Sequence, residues 1–551
     1  MPRPDQQGPV VFELVEGDEP GTAGTDGAGG HGGDGPGDAD PGGAPGPRTP
    51  RLPRLSRRTW LVAVAAVAAV VLSLAAVDLV RDRLRAELMR TSSVGVASLA
   101  DPPERLWTMR FDVPAPRAEE GFVDQELVTM GGLLVLPPAS TQSFAQDVFT
   151  PPTDPVRIGF EDIVAVDPRS GEVAWRVPVD ENPVCDPSGY DASVAVDALV
   201  CVHGPADARE VLTIAPDGST RSRAADLADG EQVFPAPDGM LVRVGRVERA
   251  GDTATEAVCS LGVCTPSVLE KGRDVRVVAE DAATGAERWT STVEFVPAES
   301  VNCPQVPGED GETVVDADHV SVYSGAESVT VEGCGVSATL SVQGVRLDLA
   351  GPGDAGADDG ASGSSVAWVN ELGGGMFALA TGSVRTFVVD GEGEPVRTLD
   401  GWVYAETWSP DAPHDLWFVV DPSDGRGFDA VREDGSVAWT DRNSQGILLV
   451  GRDVVVVDRG ATVAGLDRDT GEEVWVWDGG DTEGMARYRT VTDGDTVAMV
   501  HLPQNGRPGA EVVALDLGTG EEQWDTPVPG SAVAVDGSLV AISRDGLTGL
   551  G

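Results

Sequence analysis

Asp467-Arg-Asp-Thr-Gly471-Glu-Glu-Val-Trp475 decides how this chain is read, because three other stretches align with it without gaps. They are Asp167-Pro-Arg-Ser-Gly171-Glu-Val-Ala-Trp175, Asp281-Ala-Ala-Thr-Gly285-Ala-Glu-Arg-Trp289 and Asp516-Leu-Gly-Thr-Gly520-Glu-Glu-Gln-Trp524. Each has Asp, then Ser or Thr three residues on, Gly four on and Trp eight on. One such match could arise by chance; four in one chain require a repeated structural unit.

The physics of the unit is local. A strand ends at Asp, whose carboxylate can accept from backbone N–H groups of the turn. Ser or Thr supports the same turn, and Gly takes the left-handed conformation that closes a short hairpin. The second strand delivers Trp, whose indole fills space between twisted sheets and keeps an N–H to offer a carbonyl. This gives a positional reason for 12 Trp against 4 Tyr. Weaker copies fill the intervals: Asp217-Gly218, Asp390-Gly391 before Val396-Arg397, and Asp434-Gly435 before Ala438-Trp439. Short alternating stretches at 446–450, 453–457 and 496–500 read as inner strands.

These residues resemble the repeat of the pyrroloquinoline-quinone-like (PQQ-like) propeller family, in which such a stretch forms the outer two strands of a four-stranded blade. The resemblance implies an all-β propeller over residues 105–551. Hairpin ends near 175, 220, 289, 346, 397, 439, 475 and 524, followed by a partial unit at 531–551, lead us to expect eight blades, with seven or nine admitted. The partial unit lacks an outer strand, and the stretch Leu106-Trp107-Thr-Met-Arg-Phe111 looks like the missing piece. Trp107 would then mark the point where the ring closes and removes its open edges. Residues 295–350 are the least blade-like.

Residues 1–55 form an acidic, Gly/Pro-rich tail that cannot bury enough apolar surface to order itself. A transmembrane signal anchor is expected at 56–80, because Trp60 to Val77 is interrupted only by Ser73 and nearly crosses a hydrocarbon core of about 30 Å. Residues 81–104 read as a stalk. Arginines flank the apolar run on both sides, so charge does not orient it. Ser56-Arg57-Arg58 resembles a twin-arginine export motif, yet no small-residue cleavage site lies just beyond the span, which favours an uncleaved anchor. All six cysteines, Cys185, Cys201, Cys259, Cys264, Cys303 and Cys334, follow the span in three neighbouring pairs. An even set suits local disulfides in an oxidising exterior, hence a cytoplasmic tail and an extracytoplasmic propeller on the cell membrane. The alternative is six reduced cysteines in a cytoplasmic propeller.

The chemistry expected of the chain is sparse. Acidic residues outnumber basic ones 90 to 39, which argues against nucleic acid and against docking of the propeller on anionic lipid. Lys271 is the only lysine, a skew of the kind GC-rich, actinobacterial-type coding produces. The five histidines, His31, His203, His319, His414 and His501, fall into no metal-site spacing, and no Gly-x-Ser-x-Gly elbow occurs. Gly351-Pro-Gly353-Asp-Ala-Gly356 matches a dinucleotide fingerprint only literally, in a loop rich in carboxylates. Asp167, Asp281, Asp467 and Asp516 hold identical places in separate blades and shape turns. A quinoprotein dehydrogenase of this family would need a tryptophan floor, a calcium or lanthanide held by acidic and amide side chains, and often adjacent cysteines, of which there are none here. No catalytic, cofactor-binding or metal residue is therefore named and no cofactor is expected. The reading is a non-catalytic, membrane-anchored protein-binding, scaffold or sensor propeller whose partners are envelope proteins or a small ligand. The alternatives are a PQQ-dependent dehydrogenase and a small-ligand or glycan binder.

Overall fold

The computed structural model describes residues 83–551 apart from 113–127, 137, 139, 143–155, 159, 180–182, 186–193, 206–207, 248–256, 261–262, 308–312, 348–365, 374, 382–384, 404–406, 421–425, 480–485, 503–509 and 544. Two compact units divide the chain at Leu72/Ser73, and the described residues all lie in the second. The tail and the apolar run Trp60 to Val77 lie outside the described residues. Among the described residues no helix is long and apolar enough to cross a membrane.

The structure is all-β, built from repeated, mainly antiparallel sheets, most of whose strands follow one another along the chain. Sheet 1 comprises Val128–Met130, Leu133–Leu136, Ile163–Val166 and Val173–Val177, with Val194–Ala195 added parallel to its first strand; sheet 2, Val184–Cys185, Leu199–His203, Glu210–Ile214 and Thr220–Ala224. Sheet 3 holds Gln232–Ala236, Met240–Arg246, Val275–Asp281 and Glu287–Val293, and sheet 4 only three strands, Val320–Ser324, Ser328–Gly333 and Val336–Ser341. Sheet 5 runs Val366–Gly373, Met376–Thr381, Arg385–Asp390 and Pro395–Asp400; sheet 6, Trp402–Val403, Leu416–Val420, Phe428–Arg432 and Val437–Asp441. Sheet 7 is Gly446–Val450, Val454–Asp458, Thr462–Asp467 and Glu473–Asp478; sheet 8, Ala486–Thr492, Thr496–Leu502, Ala510–Asp516 and Glu522–Val528. Sheet 9 joins Ser531–Val535, Ser538–Ser543 and Gly546–Leu550 to Arg105–Arg110 from the other end of the sequence.

Burial explains the strand sequences. Ile163–Val166 is buried at all four positions, since both faces of a middle strand are covered by neighbouring sheets, and so it reads as an unbroken apolar run. The fourth strand, Val173–Val177, lies at the rim and is mostly exposed. Each sheet shares an apolar cluster with the next: Ile163 and Leu199 join sheets 1 and 2, Val211 and Leu241 sheets 2 and 3, Val277 and Val331 sheets 3 and 4. The series continues with Leu347 just after sheet 4 against Phe377, then Val388 with Trp417, Trp439 with Val455, and Val456 with Met499. Ala514 meets Ala534, and Val540 meets Leu134, so sheet 9 shares a core with sheet 1. Nine sheets thus stand in the series among the described residues, at the upper end of the expected range. The excess over eight is the sheet completed by Arg105–Arg110, which counting hairpin turns leaves as a fragment.

Besides a two-stranded ladder of Ser140–Gln142 and Val156–Ile158 inserted within sheet 1, two segments depart from the repeat. Residues 83–91 are helical and, with 92–99, lie against the sheet loops. Arg85 pairs with Asp411 at 3.2 Å and Asp495 at 3.0 Å, and Val96 N–H donates to Thr492 O at 2.9 Å. The other departure is an insertion around sheets 3 and 4. Residues from two separate stretches form one small sheet of Val263–Thr265, Val258–Ser260, Thr313–Val315 and Gln305–Pro307. Disulfides Cys259–Cys264 and Cys303–Cys334 sit in its core, and Cys185–Cys201 bridges paired strands of sheet 2. This is the local pairing expected from spacing.

Candidate functional site

The repeated residues build a seat between sheets. In the turn after Ala464-Gly465-Leu466, the Asp467 carboxylate accepts from Asp469 N–H (3.1 Å), Thr470 N–H (2.9 Å) and Thr470 Oγ1 (2.8 Å), while Gly471 N–H donates to Asp467 O at 2.8 Å. Asp281 with Thr284, Asp516 with Thr519 and Asp167 with Ser170 reproduce the pattern. Gly171, Gly285, Gly471 and Gly520 have φ between 69° and 72°, the left-handed region that an added Cβ disfavours.

Tertiary structure adds what lies on that glycine. A Cβ on Gly520 would come within 2.5 Å of the Trp475 ring from the preceding sheet, and one on Gly471 within 2.6 Å of Trp439. Gly171 underlies Trp107, Gly218 underlies Trp175 and Gly344 underlies Trp289 in the same way. Each indole Nε1–H donates to a backbone carbonyl at this next station: Trp107 to Pro168 (3.0 Å), Trp175 to Pro216 (3.0 Å), Trp289 to Val342 (3.0 Å), Trp439 to Arg468 (2.7 Å), Trp475 to Leu517 (2.8 Å). Trp524 follows another sheet's end, where no such turn exists because sheet 9 takes its fourth strand from Arg105–Arg110. Its acceptor is Leu99 O at 2.7 Å, so residues 92–99 stand in for the missing turn.

Room for the indole comes from the strand opposite: Trp107 faces Gly549, Trp175 Ala165, Trp289 Ala279, Trp439 Ala430, Trp475 Gly465 and Trp524 Ala514. Where valine stands opposite, at Val211 and Val388, the seat holds Arg223 and Arg397 instead. Arg223 Nε donates to Ala282 O at 2.8 Å and its Nη2 meets the buried Glu280 carboxylate at 2.8 Å. Arg397 lies 5.9 Å above the Trp417 ring and against Gly435. Tryptophan counting misses these two stations; a small residue or valine at the facing position was the signal for which occupant to expect. The indoles expected to be buried are unequal: Trp475 and Trp524 are buried, Trp175 and Trp289 half-buried.

The turn carboxylates carry a pH dependence. Hydrogen bonds hold Asp281 and Asp467 below the usual carboxylate value, first from the side chains of Thr284 and Thr470, against a smaller opposing effect of burial. Their folded pKa is depressed, so the stability they add is present above about pH 4 and is lost as pH falls through the folded value. Acid unfolding of a Thr284→Ala/Thr470→Ala variant, followed by circular dichroism, is expected to be less steep below pH 4 than that of the parent. An unchanged acid limb would refute the assignment.

The remaining polar groups do not converge. His203 Nε2 lies 3.9 Å from Glu210, His319 hydrogen-bonds Ser321 at 3.0 Å, and His414 stacks on Trp408 at 4.4 Å between centroids, each on a different sheet. Among the described residues no three His, Cys, Asp or Glu side chains gather as a metal site. A cleft of about 370 Å³ between sheets 1 and 2 is lined by Arg176, Val179, His203, Leu212, Thr220 and Ser222. Its Arg176 is already paired with Asp112 at 2.9 Å.

Residues 354–545 match the model of a family described as outer membrane protein assembly factor BamB, which carries the PQQ-like repeat. Over this stretch the chain is similar to that PQQ-like repeat family. The match spans sheets 5 to 8 and the first two strands of sheet 9, and the seats at Trp107, Trp175 and Trp289 extend the same geometry beyond it. Among solved structures, BamB from Moraxella catarrhalis is 12% identical, with 81% of this chain and 99% of that one covered at a TM-score of 0.37. The computationally designed Ika8 protein is 13% identical over 77% and 99%, at 0.31, and the dihydro-heme d1 dehydrogenase NirN 11% over 79% and 81%, also at 0.31. No curated protein sequence matches the chain.

Among the described residues, the donor set that a bound pyrroloquinoline quinone would need is not assembled by these PQQ-like repeats. Six indoles lie in inter-sheet seats with Nε1 engaged, and all six cysteines are in bridges between non-adjacent positions. No step through that cofactor is derived.

Proposed function

We propose that the chain is a non-catalytic protein-binding propeller of nine blades, anchored by its apolar segment with the propeller outside the cell membrane. The observation that carries the binding reading is the use of the repeat's own polar residues. Asp167, Asp281, Asp467 and Asp516 are tied into their turns and the indoles into the next sheet, so the residues that recur build a ring and leave its faces for partners. The match to a family described as an assembly factor supports protein binding at this coarse level.

Three disulfides support an oxidising compartment. The anchor itself rests on the sequence. Non-reducing peptide mapping of protein taken from its native membrane is expected to return Cys185–Cys201, Cys259–Cys264 and Cys303–Cys334. Six free thiols would overturn the outside placement. Titration with pyrroloquinoline quinone and calcium tests the non-catalytic part, where saturable binding with alcohol- or sugar-driven dye reduction would refute it.

A further inference from the structure

The stapled insertion has two unlike faces. Residues opposite one another in a ladder share a face, and the register sets Val306 opposite Val314, Val314 opposite Val258, Val258 opposite Thr265, and Ser260 opposite Val263. The other face carries Cys259, Cys264 and Val315 into the disulfide core. The outward face is therefore four valines, a serine and a threonine, with no charge, on a chain of net charge −51. Val263 is 69% exposed and Val306 41%, while Val258 and Val314 are half-buried.

An uncharged sheet face is unusual on so acidic a surface, and two disulfides in the core beneath it restrain it before any partner arrives, which lowers the ordering cost of binding. We propose that this face is a docking surface for a protein that presents an apolar patch rimmed by lysine or arginine. The charge selects that occupant. A second copy would bring another −51, and anionic lipid repels the chain likewise, whereas a basic rim complements a chain with 90 acidic against 39 basic residues. Four strands about three residues long span roughly 200 Å². That is the apolar centre of an interface of about 800 Å² per partner, so the polar rim supplies the remainder.

This inference rests on the protein-binding reading and names one surface for it. The test places a photo-crosslinking residue at Val263 of the full-length chain in its native membrane, with a second at Val437, an exposed valine on the rim of sheet 6. The expected result is a discrete adduct at position 263 whose partner peptide is apolar and flanked by Lys or Arg. It should fall about tenfold in a Val306→Gln/Val314→Gln background that keeps all three disulfides by peptide mapping. An adduct with a second copy of the chain or with lipid, an undiminished adduct in the double variant, or none at 263 overturns the proposal. A missing adduct at 263 beside a discrete one at 437 sinks this face and leaves the protein-binding reading standing.

Discussion

Trp475→Ala is expected to lower the unfolding free energy by about 3 to 5 kcal/mol, the range for truncating a buried large aromatic. The indole is 7% exposed, packs with Val497 and Met499 of the next sheet, and donates to Leu517 O. Its loss opens a cavity between sheets 7 and 8 and leaves that carbonyl without its donor, a further penalty of about 1 to 3 kcal/mol within the same total. Trp475→Phe keeps most of the area and loses only the hydrogen bond, so it should cost clearly less. Trp175→Ala, at a half-buried station, should fall between them. Urea unfolding monitored by far-ultraviolet circular dichroism ranks the three. Equal effects below about 1 kcal/mol would mean that the seats do not hold the sheets together.

Removing the Cys303–Cys334 bridge as a double serine variant is expected to cost about 4 kcal/mol, against about 3 for Cys185–Cys201 and about 2 for Cys259–Cys264, because the entropy restored to the unfolded chain grows with loop length. The sequence separations are 31, 16 and 5. The longest loop also ties the insertion to the hairpin at Gly333–Val336 of sheet 4, the sheet with only three strands. Its loss should therefore raise proteolysis first within 257–315. Denaturant midpoints and limited proteolysis of the three variants read the order. A reversed ranking would show that strain or residual structure, not loop closure, governs these bridges.

Much of this molecule is determined by its sequence alone, because the decisive interactions are short in sequence. The Asp-x-x-Ser/Thr-Gly turn closes within five residues, so its hydrogen bonds and the positive φ of Gly471 follow from residue types. Alternation of buried and exposed positions separates middle strands from rim strands for the same reason. The pairing of Arg105–Arg110 with the last strand is also legible, since a C-terminal unit short of one strand and a stray Trp107 strand complete each other.

Tertiary structure decides what the turn glycine is for. Nothing local says that Gly520 seats Trp475, that Arg223 replaces an indole where Val211 faces it, or that Trp524 finds its carbonyl 425 residues away at Leu99. Nor could spacing place Val258 and Val314 side by side, since their sheet closes over a chain segment that includes two strands of sheet 3. Periodicity reports which face of a strand is buried. What it is buried against is set by the order in which sheets succeed one another, and that order exists only once the chain has come round on itself.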